Sequence, residues 1–147
     1  FDWVPMKPTL GDILDLTLVG IEEESKILNK GGWIIPLANG RFRAGSTYHG
    51  CNSDASIEER KEEVLERVRG ITEATPVVHS QRSGLRPIIR RSQIFAGRHP
   101  TRPQVAFFNG LGSKGVLNGP WYADRLVSHL VDQSPLPDES DLLQNRV

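Results

Sequence analysis

The stretch at residues 109–116, NGLGSKGV, has the spacing G-x-G-x-x-G at Gly110, Gly112 and Gly115. The short apolar run QVAFF precedes it and has strand character, and residues 119–133 follow it with apolar side chains at helical spacing. A strand, a glycine loop and a helix are the parts of a phosphate-binding turn. This stretch therefore decides whether the chain folds as a doubly wound parallel sheet.

The rest of a dinucleotide-binding fingerprint is missing after the predicted helix. That fingerprint requires a second parallel strand and, about 20 residues on, an acidic residue that holds the ribose. Here the helical pattern ends near Gln133, and the acidic segment SPLPDESDLLQNRV that follows predicts no strand. The missing parts disfavour an ordinary dinucleotide-binding unit. The other two interpretations are a plain glycine turn, or a loop that contacts a cofactor whose main binding domain lies elsewhere.

The first half of the chain predicts a hairpin followed by a helix. Residues 11–18, 31–37 and 41–48 have strand character, and Asn39-Gly40 between the last two is a strong signal for a tight turn. Residues 56–71 carry apolar side chains on one helical face, and Ser56 with Glu59 forms a capping box at the start.

The second half predicts shorter strands and a second helix. A strand opens at Pro76 and is broken by Gly84 and Pro87, a short strand is expected within residues 92–100, and residues 104–109 lead into the glycine loop. The second helix then carries Pro120 in its first turn. The order β-β-β-α-β-β-β-α lacks strand–helix alternation, so the predicted fold is α+β with a mainly antiparallel sheet and two principal helices.

The bulk properties indicate one modest domain without membrane segments. No apolar run in the 147 residues approaches a membrane span, and neither an initiating Met nor a signal-peptide pattern is present at the start. The opening FDWVPMKPTLG reads like the middle of a longer protein.

Cys51 is the single cysteine, which excludes an internal disulfide and fits a cytoplasmic location. His49 and Cys51 form an H-x-C pair without a second pair nearby, so no metal site is predicted.

Charge is unevenly distributed although the net charge is zero. No Asp or Glu occurs from Thr75 to Ala123, and the acids cluster at residues 54–73 and from Asp124 onward. The acid-free segment contains these cations: Arg82, Arg86, Arg90, Arg91, Arg98, Arg102 and Lys114. Either the segment faces an anion, or the acidic helix neutralises it within the fold.

Two places in this segment are suited to anions. Gly84 and Pro87 flank Arg86, and an arginine held in an extended backbone can present its planar fork to a carboxylate or phosphate. The alternative is a surface arginine paired with an acid of the first helix. In the glycine loop, backbone N–H groups, the positive end of the following helix and Lys114 suit a group that is or becomes anionic. The alternative there is a glycine turn with a solvated lysine.

Together these runs resemble the C-terminal part of the FAD-dependent D-amino-acid oxidase and glycine oxidase superfamily. The resemblance rests on NGGWIIPLANGRFRAGSTY, SGLRPII, GRHP, FFNGLGSKGVLNGPWYADRLVSHLVD and PLPDE, in that order and spacing, and it extends to VPMKPTLGDIL near the start. It implies a fragment of a larger two-domain flavoenzyme whose N-terminal dinucleotide-binding part is absent. Residues 1–105 would be the substrate-binding portion, and residues 106–147 the flavin-contacting loop, helix and tail.

The resemblance also implies site residues. Arg86 matches the arginine that holds the substrate carboxylate, Tyr48 falls where members line the substrate pocket, and His49 is a weaker candidate. Lys114 would contact either the substrate or the flavin. The expected cofactor contacts, near the pyrimidine edge of the flavin, are Gly110, Leu111, Gly112, Ser113, Lys114, Gly115 and Val116.

The implied reaction is oxidation of the C–N bond of an amino acid or other amine carboxylate by hydride transfer to FAD. No catalytic side-chain nucleophile is needed, because the flavin carries the difficult step. The fragment alone is expected to be inactive and not to retain FAD. Its partners would be the substrate and the missing FAD-binding domain. A fragment of this kind is also expected to expose a large apolar patch, or to form a homodimer in which a second copy covers that patch.

The sequence departs from the family pattern at several positions near Arg86. After GLRP, many members have an acidic residue and a proline where this chain has Arg91 and Ile94, and Ala96-Gly97 stands in place of an Ile-Gly pair. One alternative is a tRNA-binding module that uses the arginine-rich segment. The aromatic residues do not interleave with the arginines as a stacking platform requires, which argues against nucleic acid as the ligand. A second alternative is a non-catalytic domain of the same fold.

Overall fold

The computed structural model describes residues 1–21 and 25–145, which fall into two compact units. The first unit is residues 9–86. The second unit combines residues 1–8 with the described residues from Pro87 onward. The predicted functional division at residue 105 stays a prediction.

The first unit is an antiparallel sheet with a helix on one face. Its long central hydrogen-bonded pair joins β1 to β6 along their full lengths, and β4 and β5 pair with the other side of β1. The strands are β1 (Thr9–Val19), β2 (Leu28–Asn29), β3 (Trp33–Pro36), β4 (Phe42–Gly45), β5 (His49–Gly50) and β6 (Thr75–Arg86). The spatial order β2-β3-β4-β1-β6, with β5 beside β4 on the same edge of β1, is antiparallel throughout.

The predicted hairpin turn between β3 and β4 is confirmed. Asn39 and Gly40 have φ angles of 60° and 66°, the left-handed values that a two-residue type I′ turn requires. Asn and Gly tolerate these angles better than other residues. The N–H of Leu37 donates to the carbonyl of Arg41 at 2.7 Å, which closes the turn.

Helix α1 (Ile57–Ile71) packs on the sheet and closes the main core. The capping box is present, because the Ser56 hydroxyl accepts from the Glu59 N–H and the Glu59 carboxylate accepts from the Ser56 N–H. Alternate β1 residues point to this helix, and each fully buried Leu or Phe contributes ~1.5–3 kcal/mol. The buried apolar cluster comprises Leu14, Leu16, Leu18, Ile34, Phe42, Ala44, Val64, Leu65 and Val68.

The prediction that Gly84 breaks its strand is wrong. β6 continues through Gly84, which is paired with Gly11, and ends at Arg86 before Pro87. Pairing with β1 over eleven positions outweighs the low strand preference of one glycine. β2 and β5 were also not predicted, because each is only two residues long and carries too little periodic signal.

The second unit contains a two-stranded sheet and a long helix. β7 (Phe95–Arg98) pairs antiparallel with β8 (Ala106–Asn109), and α2 (Gly115–Asp132) follows the glycine loop. The tail forms no strand within its described residues, as predicted. It does pack on β7: the N–H of Ala96 donates to the Ser140 carbonyl at 2.8 Å, and the N–H of Leu142 donates to the Ala96 carbonyl at 2.9 Å.

Helix α2 begins four residues before the predicted start at Gly119. Pro120 therefore lies inside the helix rather than in its first turn. A proline there leaves the carbonyl of Val116 without its helical partner. Val116 is 97 % exposed, so water can satisfy that carbonyl.

One side of α2 exposes apolar side chains. Val116, Leu117, Trp121, Val127 and Val131 are all exposed, while Leu126 is buried on the other side. An exposed apolar surface of this kind agrees with the expectation for a fragment, whereas the homodimer stays a prediction.

In the described residues, no helix is both long and apolar enough to cross a membrane. Fold class is confirmed as α+β with a mainly antiparallel sheet and two principal helices.

Candidate functional site

Arg86 is the last residue of β6, and neutral groups hold its side chain. Its Nη1 donates to the carbonyl oxygen of Thr47 at 3.0 Å. The guanidinium carbon lies 4.5 Å from the centroid of the Tyr48 ring, a cation–π distance. Pro87 keeps the backbone of Arg86 extended. The arginine fork is therefore fixed in a half-buried position at the end of the strand.

No carboxylate pairs with Arg86 anywhere in residues 1–21 and 25–145. Other arginines of this unit do have such partners: Arg43 lies 2.8 Å from Asp15, and Arg60 lies 2.8 Å from Asp12. Pairing of Arg86 with an acid of α1, the alternative considered above, is therefore not what the structure shows. A partly desolvated, unpaired cation attracts an anionic ligand.

The guanidinium occupies the space that a side chain at Gly11 would fill. A Cβ added at Gly11 would have Nη1, Cζ and Nη2 of Arg86 as its three nearest atoms, each at less than 3.0 Å. Gly84 pairs directly with Gly11, yet a Cβ added there meets nothing within 4 Å. Gly11 was not predicted as a site residue. The available signal was a glycine inside a strand pattern, which indicates close approach of another group.

A buried carboxylate organises the residues behind Thr47. Asp12 is fully buried and accepts side-chain hydrogen bonds from Arg60 (2.8 Å), Gln81 (2.9 Å), Thr47 (3.1 Å) and Ser83. Its own N–H donates to the Thr47 hydroxyl oxygen at 2.8 Å. Burial opposes ionisation of Asp12, but the hydrogen bonds together outweigh it and lower its pKa below the usual value.

His49 points to helix α1. Its Nε2 lies 2.7 Å from the Glu63 carboxylate, and its Nδ1 lies 3.2 Å from the Ser53 hydroxyl. Both ring nitrogens therefore have protein partners. Of the three predicted substrate residues in the first unit, the structure brings Tyr48 and Arg86 together and places the His49 side chain with Glu63.

The glycine loop has its own internal requirements. Gly110 has a φ of 98°, and a Cβ there would overlap the carbonyl of Gln93. The N–H of Gly110 donates to the Asn109 side-chain oxygen at 2.7 Å, and the Asn109 amide donates to the Pro87 carbonyl at 2.9 Å. Gly110 therefore shapes the loop, and its N–H is already engaged.

The other end of the loop is open to solvent. Gly112, Ser113 and Lys114 are exposed in a single 3-10 turn, and α2 begins at Gly115 without a side-chain cap or an acidic residue in its first turn. The positive end of an 18-residue helix and the Lys114 charge therefore face outward together. This end can bind a group that carries or acquires negative charge.

Gly110→Ala is expected to destabilise the second unit by about 2 kcal/mol or more, since it combines a strained φ with overlap against Gln93. Gly115→Ala is the matched control: it starts a helix with ordinary angles and only ordinary contacts to Leu111. Urea unfolding followed by circular dichroism measures both variants. Equal stability of the two would contradict the structural role assigned to Gly110.

Comparison with known proteins identifies the family. The family model described as FAD dependent oxidoreductase matches residues 2–129, most of the chain. The chain belongs to this family. Within this family member, Arg86, Tyr48 and His49 lie in the first unit, and Lys114 and the glycine loop lie in the second.

Solved structures share this fold at low identity. An iminodiacetate oxidase from Chelativorans sp. BNC1 is 24 % identical with a TM-score of 0.70, over 92 % of this chain and 39 % of its own. A glycine oxidase from Geobacillus kaustophilus is 21 % identical with a TM-score of 0.65, over 90 % and 36 %. An L-proline dehydrogenase from P. horikoshii is 14 % identical with a TM-score of 0.71, over 92 % and 39 %. The chain thus spans less than two fifths of the length of these three proteins.

Proposed function

We propose that this chain is the substrate-binding and C-terminal portion of an FAD-dependent enzyme that oxidises the C–N bond of an amino acid or other amine carboxylate. The observation that carries the proposal is Arg86, whose fork is fixed by Thr47 and Tyr48 but has no carboxylate partner in the described chain. A fixed planar cation matches the geometry of a carboxylate. The family to which the chain belongs uses FAD, which would accept the electrons removed from the substrate.

The glycine loop fits the cofactor that the family uses. The uncapped start of α2, the exposed turn Gly112–Lys114 and the Lys114 charge are donors suited to the edge of a flavin where negative charge develops. We assign residues 111–116 to this contact, and Gly110 to shaping it. FAD, when bound, supplies the acceptor for a hydride from the carbon next to the substrate nitrogen.

The role of the first unit is to bind and orient the substrate. Arg86 would hold the carboxylate, and the exposed Tyr48 ring under the guanidinium would form one wall of the pocket. Holding one end of a small substrate fixes the reacting carbon, which lowers the barrier by reducing the entropy lost on reaction. We assign no side-chain nucleophile, and His49 remains the weaker candidate for the pocket wall.

The compounds in the names of the similar enzymes are the first substrates to test. Glycine, iminodiacetate and L-proline all contain an amine and a carboxylate attached to one carbon, which suits a site built on an arginine. The full-length protein would be cytoplasmic and would pass electrons to oxygen or another acceptor.

The test of cofactor binding uses the full-length protein and this chain side by side. The full-length protein is expected to purify with bound FAD or to bind it when FAD is added, whereas this chain alone retains none and shows no oxidase activity. Flavin absorbance after gel filtration measures both. A full-length protein that stays colourless after incubation with FAD would refute the proposal.

A further inference from the structure

We infer that Gly11 is a positioning residue for Arg86, because its missing side chain leaves the space that the guanidinium occupies. The space and the Thr47 carbonyl together determine where the fork lies. The nature of the anion that Arg86 binds rests on the proposed function. The placement of Arg86 over Gly11 rests on the structure alone.

The backbone does not explain a glycine at this position. Gly11 lies inside β1, is paired with Gly84, and has no left-handed φ. Glycine weakens a strand interior, where other residues pack better and lose less entropy on folding. The three atoms nearest to an added Cβ all belong to the Arg86 head group, so the space is reserved for that group.

An alanine at position 11 would move the guanidinium and leave the sheet in place. Non-bonded heavy atoms rest about 3.5–4.0 Å apart, so the head group would shift by roughly 1 Å or more. The conflict is at the far end of a flexible side chain, which can swing away at little cost to the fold. The shift would weaken the bond from Nη1 to the Thr47 carbonyl and change the stacking on Tyr48.

Hydrogen bonds to Asp12 hold Thr47 in place, so the displaced Arg86 guanidinium cannot form the same bond to the Thr47 carbonyl elsewhere. The Thr47 hydroxyl accepts from the Asp12 N–H and donates to the Asp12 carboxylate, and Asp12 is tied to Arg60 of α1. Thr47 is itself fully buried, so its carbonyl cannot follow the moving guanidinium. A carboxylate bound to a misplaced fork would in turn be misplaced, and an error of 1 Å can cost ~10²-fold in rate.

The experiment measures acetate binding to the FAD-loaded full-length protein through the change in the flavin spectrum. Gly11→Ala is expected to weaken acetate binding by at least about tenfold, and to lower kcat/KM for glycine, iminodiacetate or L-proline, whichever is turned over, by ~10²-fold. Gly84→Ala is the control, because Gly84 pairs with Gly11 but a Cβ added there meets no other atom within 4 Å. It is expected to change acetate affinity and kcat/KM by less than about twofold. In an Arg86→Lys background, Gly11→Ala should cause no further loss, since the fork that it displaces is gone.

Each outcome separates this inference from the proposed function. If Arg86→Lys leaves acetate affinity unchanged, the proposed function is wrong. If Arg86→Lys weakens binding but Gly11→Ala does not, or if Gly11→Ala weakens it equally in the Arg86→Lys background, the positioning role is wrong. Should Gly11→Ala alone fail to fold, the double variant with Arg86→Ala must regain the stability of Arg86→Ala. Failure of that rescue would also overturn the inference.

Discussion

Replacing Arg86 by lysine in the FAD-loaded full-length protein is expected to weaken acetate binding by about 30-fold or more, and to lower kcat/KM for an amine carboxylate by ~10²-fold. Lysine keeps the positive charge but is a point charge without the planar fork. It cannot make both the bond to the Thr47 carbonyl and a two-point contact with a carboxylate. Spectral titration and steady-state kinetics measure the two effects.

The control for this prediction lies on the same strand. Arg82 is exposed on β6 and its nearest acid, Asp15, is 3.5 Å away. Arg82→Lys removes the same fork without touching Arg86 and is expected to change acetate binding by less than about twofold. If the two lysine variants bind acetate equally well, general surface charge rather than a dedicated fork attracts the anion.

Asp12→Asn is expected to lower the free energy of unfolding at pH 7 by about 3–5 kcal/mol. The substitution removes the charge that Arg60 needs, and Arg60 is only 7 % exposed. It also places an amide donor where the surrounding side chains all donate. Urea unfolding measures the loss. Asp15→Asn is the matched control, since Asp15 pairs with half-exposed arginines and should lose less than about 1 kcal/mol.

The loss from Asp12→Asn should depend on pH in one direction. The folded-state pKa of Asp12 lies below its usual value, so ionised Asp12 stabilises the fold. That stability is fully present above the unfolded pKa, about 4, and disappears as the pH falls through the lower folded pKa. The difference between wild type and variant should therefore be constant between about pH 6 and 7 and shrink below about pH 4. A difference that grows in acid would contradict the assigned ion pair.

Local signals explain which parts of the fold were predictable. The turn at Asn39-Gly40 and the capping box of Ser56 with Glu59 are each specified by residues within three positions of one another, and both formed as predicted. The extent of β6 was not predictable in this way, because its pairing partner β1 lies more than fifty residues away in sequence. The packing of the tail on β7 through Ser140 and Leu142 is likewise set by tertiary contacts.

In the candidate site, too, features set by local sequence were predictable and features set by tertiary contacts were not. The sequence singled out Arg86 because glycine and proline flank it, but its immobilisation depends on the Thr47 carbonyl, 39 residues away, and on the space at Gly11. The hydrogen-bond network at Asp12 was also missed, since a single Asp in an alternating strand is normally predicted to face solvent. In the loop, the spacing of the glycines suggested contact with a ligand, whereas Gly110 serves the loop itself.

Anaerobic reduction of the flavin by matched pairs of amines tests whether Arg86 binds the substrate carboxylate. Glycine is compared with methylamine, and L-proline with pyrrolidine, in the FAD-loaded full-length protein, because each pair differs only by the carboxylate. At least one amine carboxylate is expected to bleach the flavin, ~10²-fold faster than the matched amine that lacks the carboxylate. Bleaching at equal rates by both members of every reactive pair would contradict a site built on Arg86.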